Sequence, residues 1–281
     1  MAFHLYKNEP LDSGLRRIAF EQIDIVLNGF GDESVPLDKR VHSLRARCKK
    51  MRGLLRLLQP RMGAAFEVEN QRFRSAAKEL AGYREMEVHR KTIESLAGRV
   101  DGPPPEPVEI PQEVIVRSLM TLATCRDAID HWPVEVHDFS DLAPGLERTY
   151  AKVLDACDAT QRDPVDPNFH QLRKHGKYHW YQIRILERLN KPMIRGRRQA
   201  LRQLQLMLGD AHDLALLEAY LGMQDEVDEP LLQKAITRKN ELYAAGMATC
   251  REVYATSVDE IVGDFSRWWD RSRPEARAAT A

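Results

Sequence analysis

Several things are scarce in this sequence, and each shortage excludes something. Net charge is absent: 42 Lys and Arg balance 42 Asp and Glu over 281 residues. Overall charge therefore points to no anionic partner. The four cysteines, Cys48, Cys125, Cys157 and Cys250, include no CxxC pair. Thiols so scattered fit a reduced, cytoplasmic protein. The opening MAFHLYKNEP lacks the apolar run of a signal peptide, so none is expected. No stretch of about 18 apolar residues occurs, and no membrane span is expected. Asn-Gly or Asp-Gly turns flanked by alternating apolar residues are missing, which argues against hairpins. Neither GxGxxG nor GxxxxGK[ST] is present, so no glycine-rich loop is available to cradle a phosphate.

What is present is helical periodicity. Apolar spacing predicts helices over roughly 13–29, 38–59, 68–80, 84–98, 112–131, 141–159, 167–190, 196–208, 211–222, 229–254 and 258–271. Ser13 and Asp38 are the expected N-caps, and Pro60, Pro133, Pro164 and Pro192 fall near helix ends. DGPPPEPVEIP, Asp101 to Pro111, reads as a linker because its prolines force an extended chain. The closing RSRPEARAATA reads as a frayed tail. The expected fold class is all-α, a single domain over 1–281. It divides into a first half of about 10–100, a linker at 101–111, a second half of about 112–271 and a tail at 272–281.

The two halves resemble each other. His42, Leu44, Arg45, Lys49, Arg56 and Leu58 each find a counterpart 128 residues later, at His170, Leu172, Arg173, Lys177, Arg184 and Leu186. The same offset pairs Arg74 with Arg202, Leu80 with Leu208, Glu85 with Asp213 and Val88 with Leu216. Earlier, GLRRIAF at Gly14 resembles GLERTYA at Gly145. One shift that aligns separate motifs argues for a duplicated helical unit.

The charge is unevenly placed. VHSLRARCKKMRGLLRLLQP, Val41 to Pro60, has six Arg or Lys and no acid. Advancing about 100° per residue puts Arg45, Lys49, Arg52 and Arg56 on one side of His42. Leu44, Cys48, Met51, Leu55 and Leu58 form the neighbouring apolar stripe, while Lys50 and Arg61 point elsewhere and read as solvated charges. His170, Arg173, Lys174, Lys177, Tyr181, Arg184 and Arg188 repeat the plan on a second helix. Like charges at i,i+4 cost a helix about 0.2–0.5 kcal/mol per pair. Two matched basic stripes therefore need a compensating partner: a bound polyanion, or acids from other helices such as Glu85, Glu87, Asp210 and Asp213. The His42-to-Arg56 stripe is about 21 Å long, too long for one phosphate and suited to a linear polyanion.

At these residues the chain resembles the CHAD family. VHSLRARCKKMRGLLRLL is similar to that family's first basic helix and FHQLRKHGKYHWYQIRILERL to its second. LAGYREMEV and LLGDAHDLAL are similar to the motifs that follow them, and GLRRIAFEQIDIVL to its opening helix. The resemblance covers about residues 10 to 270. It implies two related four-helix-type bundles with pseudo-twofold symmetry around a basic groove or pore that binds inorganic polyphosphate, without catalysis. It implies contacts from Arg17, His42, Arg45, Lys49, Arg52 and Arg56, and from Arg148, His170, Arg173, Lys177 and Arg184, with Arg74 and Arg202 as further members. Lys174 and Tyr181 join them from the second stripe. Cytoplasmic polyphosphate granules are the implied location. The chain departs from the family pattern at Trp180, where Arg is expected, at Glu85 and Glu87, where Asp is usual, and at Ala215, where another acid is usual.

His175 and His179 have a metal-compatible i,i+4 spacing, but His179 falls on the core side and no third ligand is evident, so no metal or other cofactor is expected. His212-Asp213 and Arg84-Glu85 read as structural partners of the basic helices, ahead of an acid/base pair. EVENQ at Glu67 and EMEVH at Glu85 both lack the Lys of the ExExK triphosphatase signature, so a phosphohydrolase is the weakest alternative. Nucleic acid is the main rival ligand, but single-strand binders interleave aromatics with their cations, and here only Tyr181 and an edge-facing Trp180 offer themselves. A scaffold for an acidic protein is the third reading.

Overall fold

The computed structural model describes residues 3–7, 9–97, 109–224 and 227–272, the side chains of 84–87, 89 and 97 excepted. These residues form ten α-helices and two short 3₁₀ turns, with no strand among them. The helices are α1 (Leu11–Phe30), α2 (Leu37–Met62), α3 (Ala65–Lys78), α4 (Ala81–Ala97) and α5 (Gln112–Ala128) in the first part of the chain. They are followed by α6 (Phe139–Arg162), α7 (Asp166–Ile185), α8 (Lys191–Leu221), α9 (Glu229–Val253) and α10 (Val258–Ser272). The fold class is all-α, as the periodicity implies. The greater part of the Pro-rich linker, 101–108, and the tail beyond 272 lie outside the described residues, as do the side chains of Arg84, Glu85 and Glu87.

Helix starts differ from expectation in an instructive way. Pro10 and Pro36, not Ser13 and Asp38, are the N-caps of α1 and α2. Proline's fixed φ leads the chain into the first turn without a side-chain cap, and Asp12 and Asp38 then sit inside that turn, where the helix dipole favours acids. α6 begins on a capping box: Asp138 accepts from the Ser140 N–H at 2.7 Å, and Asp141 accepts from the Asp138 N–H at 3.2 Å. Asp228 caps α9 through the Leu231 N–H at 3.0 Å. The two expected helices at 196–208 and 211–222 are one 31-residue helix, α8. Gly209 and Asp210 looked like a break but lie within it, because neighbouring packing outweighs the small propensity cost of one glycine.

α2 sits at the centre, packed against α1, α3, α4, α6 and α7. Val41, Leu44, Cys48, Met51, Leu54, Leu55, Leu57 and Leu58 are all buried. Each such leucine contributes about 1.5–3 kcal/mol of burial. Two close approaches fix α2 in place. A Cβ on Gly145 of α6 would lie 2.1 Å from the Leu57 carbonyl oxygen, so only glycine lets α6 meet the α2 backbone there. A Cβ on Gly53 would lie 2.9 Å from the Tyr181 Cβ, which draws α7 against α2. With neighbours on most sides, the cations of α2 cannot all reach bulk water: Arg45, Arg47, Lys49, Lys50, Arg52 and Arg56 are each only partly exposed. The buried residues from Phe3 to Trp269 form one cluster that spans both halves of the chain.

The cysteine reading needs correction. Cys157 of α6 and Cys250 of α9 are joined in a disulfide across 93 residues of chain, while Cys48 and Cys125 are free and buried. Spacing could not reveal that pair, because α6 and α9 meet only in the folded chain. The bond removes the support that the cysteine pattern lent to a cytoplasmic location. No described helix is long and apolar enough to cross a membrane.

Candidate functional site

α2 and α7 run side by side, and a cavity of about 480 Å³ opens between them, with α4 and α8 completing its wall. From α2 it takes His42, Arg45, Lys49 and Arg52; from α7 it takes His170, Arg173, Lys174, Lys177, Tyr178 and Tyr181. Val88 closes it from α4, and His212, Asp213 and Leu216 from α8. Nine of the residues singled out from sequence therefore meet in one place. His42 and His170 are exposed at its rim.

Several cations in and beside this region are held by neutral groups. Elsewhere the chain pairs cations with acids: Arg16 with Asp12, Arg61 with Asp141, Arg126 with Asp24, Arg198 with Glu187 and Lys239 with Asp166 and Glu218. Around the cavity, Arg52 and Arg56 both donate to the Asn70 side-chain oxygen at 3.1 Å. Arg47 and Lys50 donate to the buried Gln22 oxygen at 2.6 and 3.2 Å. Lys174 donates to Gln171. Neutral acceptors fix direction and leave the full positive charge in place. On α7 the supports are aromatic: Lys177 lies 4.6 Å from the Trp180 ring centroid and 5.7 Å from that of Tyr181, and Arg184 lies 5.2 Å from that of Trp180. Arg56 reaches across from α2 to lie 3.8 Å over the Tyr178 ring.

The protonation equilibria register the crowding. Burial, then Arg173 and Arg184, push the Lys177 ammonium down to about 8. Burial, then Arg56, Arg52, Lys152 and Arg74, lower Lys174. Burial, then Arg173, His170 and Lys49, bring His212 to about 4. Burial, then Arg173, Lys174 and Lys49, hold His170 below its ordinary value. Each shift disfavours another positive charge where positive charge already accumulates.

The remaining predicted residues are placed differently. Arg56 and Arg184 adjoin the cavity without lining it, Arg56 through Tyr178 and Arg184 through Trp180. Arg74, exposed on α3, is near enough to lower Lys174. Arg148 and Arg202 are exposed on α6 and α8, and neither lines the cavity. Arg17 is held by Glu9 at 2.7 Å and Glu21 at 2.9 Å, also outside the lining. Lys50 is not the solvated charge that the helical wheel suggests: burial, then Arg47 and Arg184, lower it to about 7.

Sequence reasoning missed Tyr178 as a lining residue, although it lies four positions after Lys174 and three before Tyr181, on the same α7 face. His179 is fully buried, its Nδ1 3.0 Å from the Tyr254 hydroxyl, as a core histidine should be. Among the described residues no group of three His, Cys, Asp or Glu side chains is placed to hold a metal.

Searches among curated proteins and among solved structures returned no match. A model of the CHAD domain matches residues 31–222, a span that contains every residue lining the cavity. With about two-thirds of its length so matched, the chain belongs to the CHAD domain family.

Proposed function

We propose that the α2–α7 cleft binds inorganic polyphosphate and does so without catalysis. The observation that carries this reading is the support of the cations. Arg52, Arg56, Lys174 and Lys177 are held by amide oxygens, a backbone carbonyl and aromatic faces, and none forms an ion pair among the described residues. A linear polyanion supplies negative charge to these four groups across the two helices. Its phosphoryl oxygens accept from Arg forks and Lys ammonium groups, and His42 and His170 add donors at the rim. We read α2 and α7 as repeat-related sides of one clamp, consistent with their matched sequence stripes.

Two observations favour polyphosphate over single-stranded nucleic acid. The Tyr178 ring is covered by Arg56, and Tyr181 is buried against Phe3 and Gly53. Neither offers an open face for a base to stack on. Binding of this kind would also gather the protein on cytoplasmic polyphosphate granules.

The test is calorimetric titration of the protein with long-chain polyphosphate at low and moderate salt, beside single-stranded DNA and a poly-glutamate peptide. Saturable binding that prefers polyphosphate and weakens steeply with salt is expected, because released counterions drive it. Absent binding, or equal affinity for all three polyanions, would overturn the reading. Release of orthophosphate during the titration would contradict the non-catalytic part.

A further inference from the structure

Beyond Tyr181 lies a second group of cations that the cleft does not include. Arg47 and Lys50 of α2 and Arg184 of α7 converge there, and Lys50 feels both arginines. Among the described residues none of the three forms an ion pair. Arg47 and Lys50 share one neutral acceptor, the buried Gln22 oxygen. Arg47 and Arg184 both act on Tyr181, which lines the cleft on its other side. Tyr181 is thus a neighbour common to the cleft and this nest.

A lid covers the nest. The segment Phe3–Lys7 has no helix or strand and reaches α7 through Leu5 and the α2 and α7 cations through Phe3. Phe3 sits with its ring centroid 5.1 Å from the Lys50 ammonium and 5.3 Å from the Arg184 guanidinium, edge-on to Tyr181 at 5.9 Å. Leu5 is buried, and its N–H donates to the Ile185 carbonyl at 3.0 Å. Glu9 ties the far end through Arg17. Gly14 leaves room for the strap, since a Cβ there would lie 2.6 Å from Glu9 and 2.8 Å from Leu5. An aromatic ring over two cations is a poor substitute for an anion: it offers a quadrupole where a phosphoryl oxygen offers full charge.

We infer that Arg47, Lys50 and Arg184 form a further phosphoryl-anion subsite continuous with the cleft, and that the Phe3–Lys7 strap is its displaceable cover. The inference rests on the proposed polyphosphate reading and deepens it. A chain long enough to pass Tyr181 competes with Phe3 for the three cations, and a short one does not reach them. The strap thereby makes affinity depend on chain length.

The experiment compares tripolyphosphate with long-chain polyphosphate on the full chain. Three proteins are titrated: the parent, Phe3→Ala/Leu5→Ala, and the same double variant carrying Lys50→Gln and Arg47→Gln. Strap release is expected to tighten long-chain binding by about tenfold and to steepen its salt dependence by about one to two further phosphates. Tripolyphosphate binding should stay unchanged, and the gain should vanish in the quadruple variant. A second measurement avoids core substitutions altogether. A nitroxide on Lys7→Cys, an exposed position, should be immobile in the free protein and become mobile when long-chain polyphosphate is added. Parent binding with no change in either assay would overturn the subsite and leave the cleft standing. No polyphosphate binding by any variant, with the label immobile throughout, would overturn both.

Discussion

The two basic helices carry similar charge and hold it with different shares of amide and aromatic support. On α2 amide oxygens aim the cations, with Asn70 serving Arg52 and Arg56 together and Gln22 serving Arg47 and Lys50, while Arg56 also lies over the Tyr178 ring. On α7, Lys177 and Arg184 rest on the faces of Trp180, Tyr181 and Phe3. Amides fix direction, because a hydrogen bond weakens steeply off axis. Aromatic faces fix position only loosely and leave every N–H available. The difference suggests one rigid jaw and one adaptable jaw, a useful combination for a repetitive ligand with no fixed register.

The largest effect should come from removing one cation from each jaw. Arg52→Ala/Lys177→Ala is expected to weaken long-chain polyphosphate binding by at least about a hundredfold, since charged hydrogen bonds contribute about 1.5–3 kcal/mol each. A calorimetric titration checks this, and a loss below threefold would mean the ligand lies elsewhere. Next comes the rigid jaw's support. Asn70→Leu keeps both arginines but removes their shared acceptor, and affinity should fall about five- to tenfold. Trp180→Leu on the adaptable jaw should cost less, about two- to threefold, in line with the lower end of the cation–π range, about 0.5 kcal/mol. If the order of those two losses were reversed, the contrast between the jaws would be wrong.

A pH profile sharpens the same comparison. Arginines stay charged throughout, so Arg45, Arg52 and Arg56 of α2 contribute evenly. Lys177 has a pKa of about 8 in the free protein, and bound phosphoryl oxygens raise it. Its contribution is then fully present below about pH 8 and is lost as pH rises towards the raised value in the complex. Affinity should decline above pH 8 in the parent and decline less there in Lys177→Arg. The histidines act lower: His212 titrates near 4 and His170 below its ordinary value, so an acid-side gain should begin beneath the usual histidine range. The smallest effect belongs to the outlying arginines. Arg148→Ala and Arg202→Ala should each change affinity by less than about twofold, as expected for exposed charges outside the cleft.

Much of this was legible in the sequence, for a physical reason. Helical spacing dictates which side chains share a face, and so the stripes on α2 and α7 could be read before any packing was known. Residues on the facing stripes, such as Arg52 and Lys177, were found by that rule. What it could not supply is the neighbour opposite each face. Lys50 looked solvated because nothing on α2 says that Phe3 folds over it. Arg17 and Arg148 looked equivalent from the motifs GLRRIAF and GLERTYA, yet Gly14 makes room for the strap and Gly145 for the backbone of α2. Their arginines accordingly meet different surroundings: Glu9 and Glu21 in one case, solvent in the other. The Cys157–Cys250 bond was hidden for the same reason, since it depends on which helices meet.

The most direct measurement is a crystal structure of the full chain with long-chain polyphosphate. The account predicts a ribbon of phosphoryl density between α2 and α7, within hydrogen-bond distance of Arg52 and Lys177. Density on another face of the molecule, with those two side chains untouched, would contradict it.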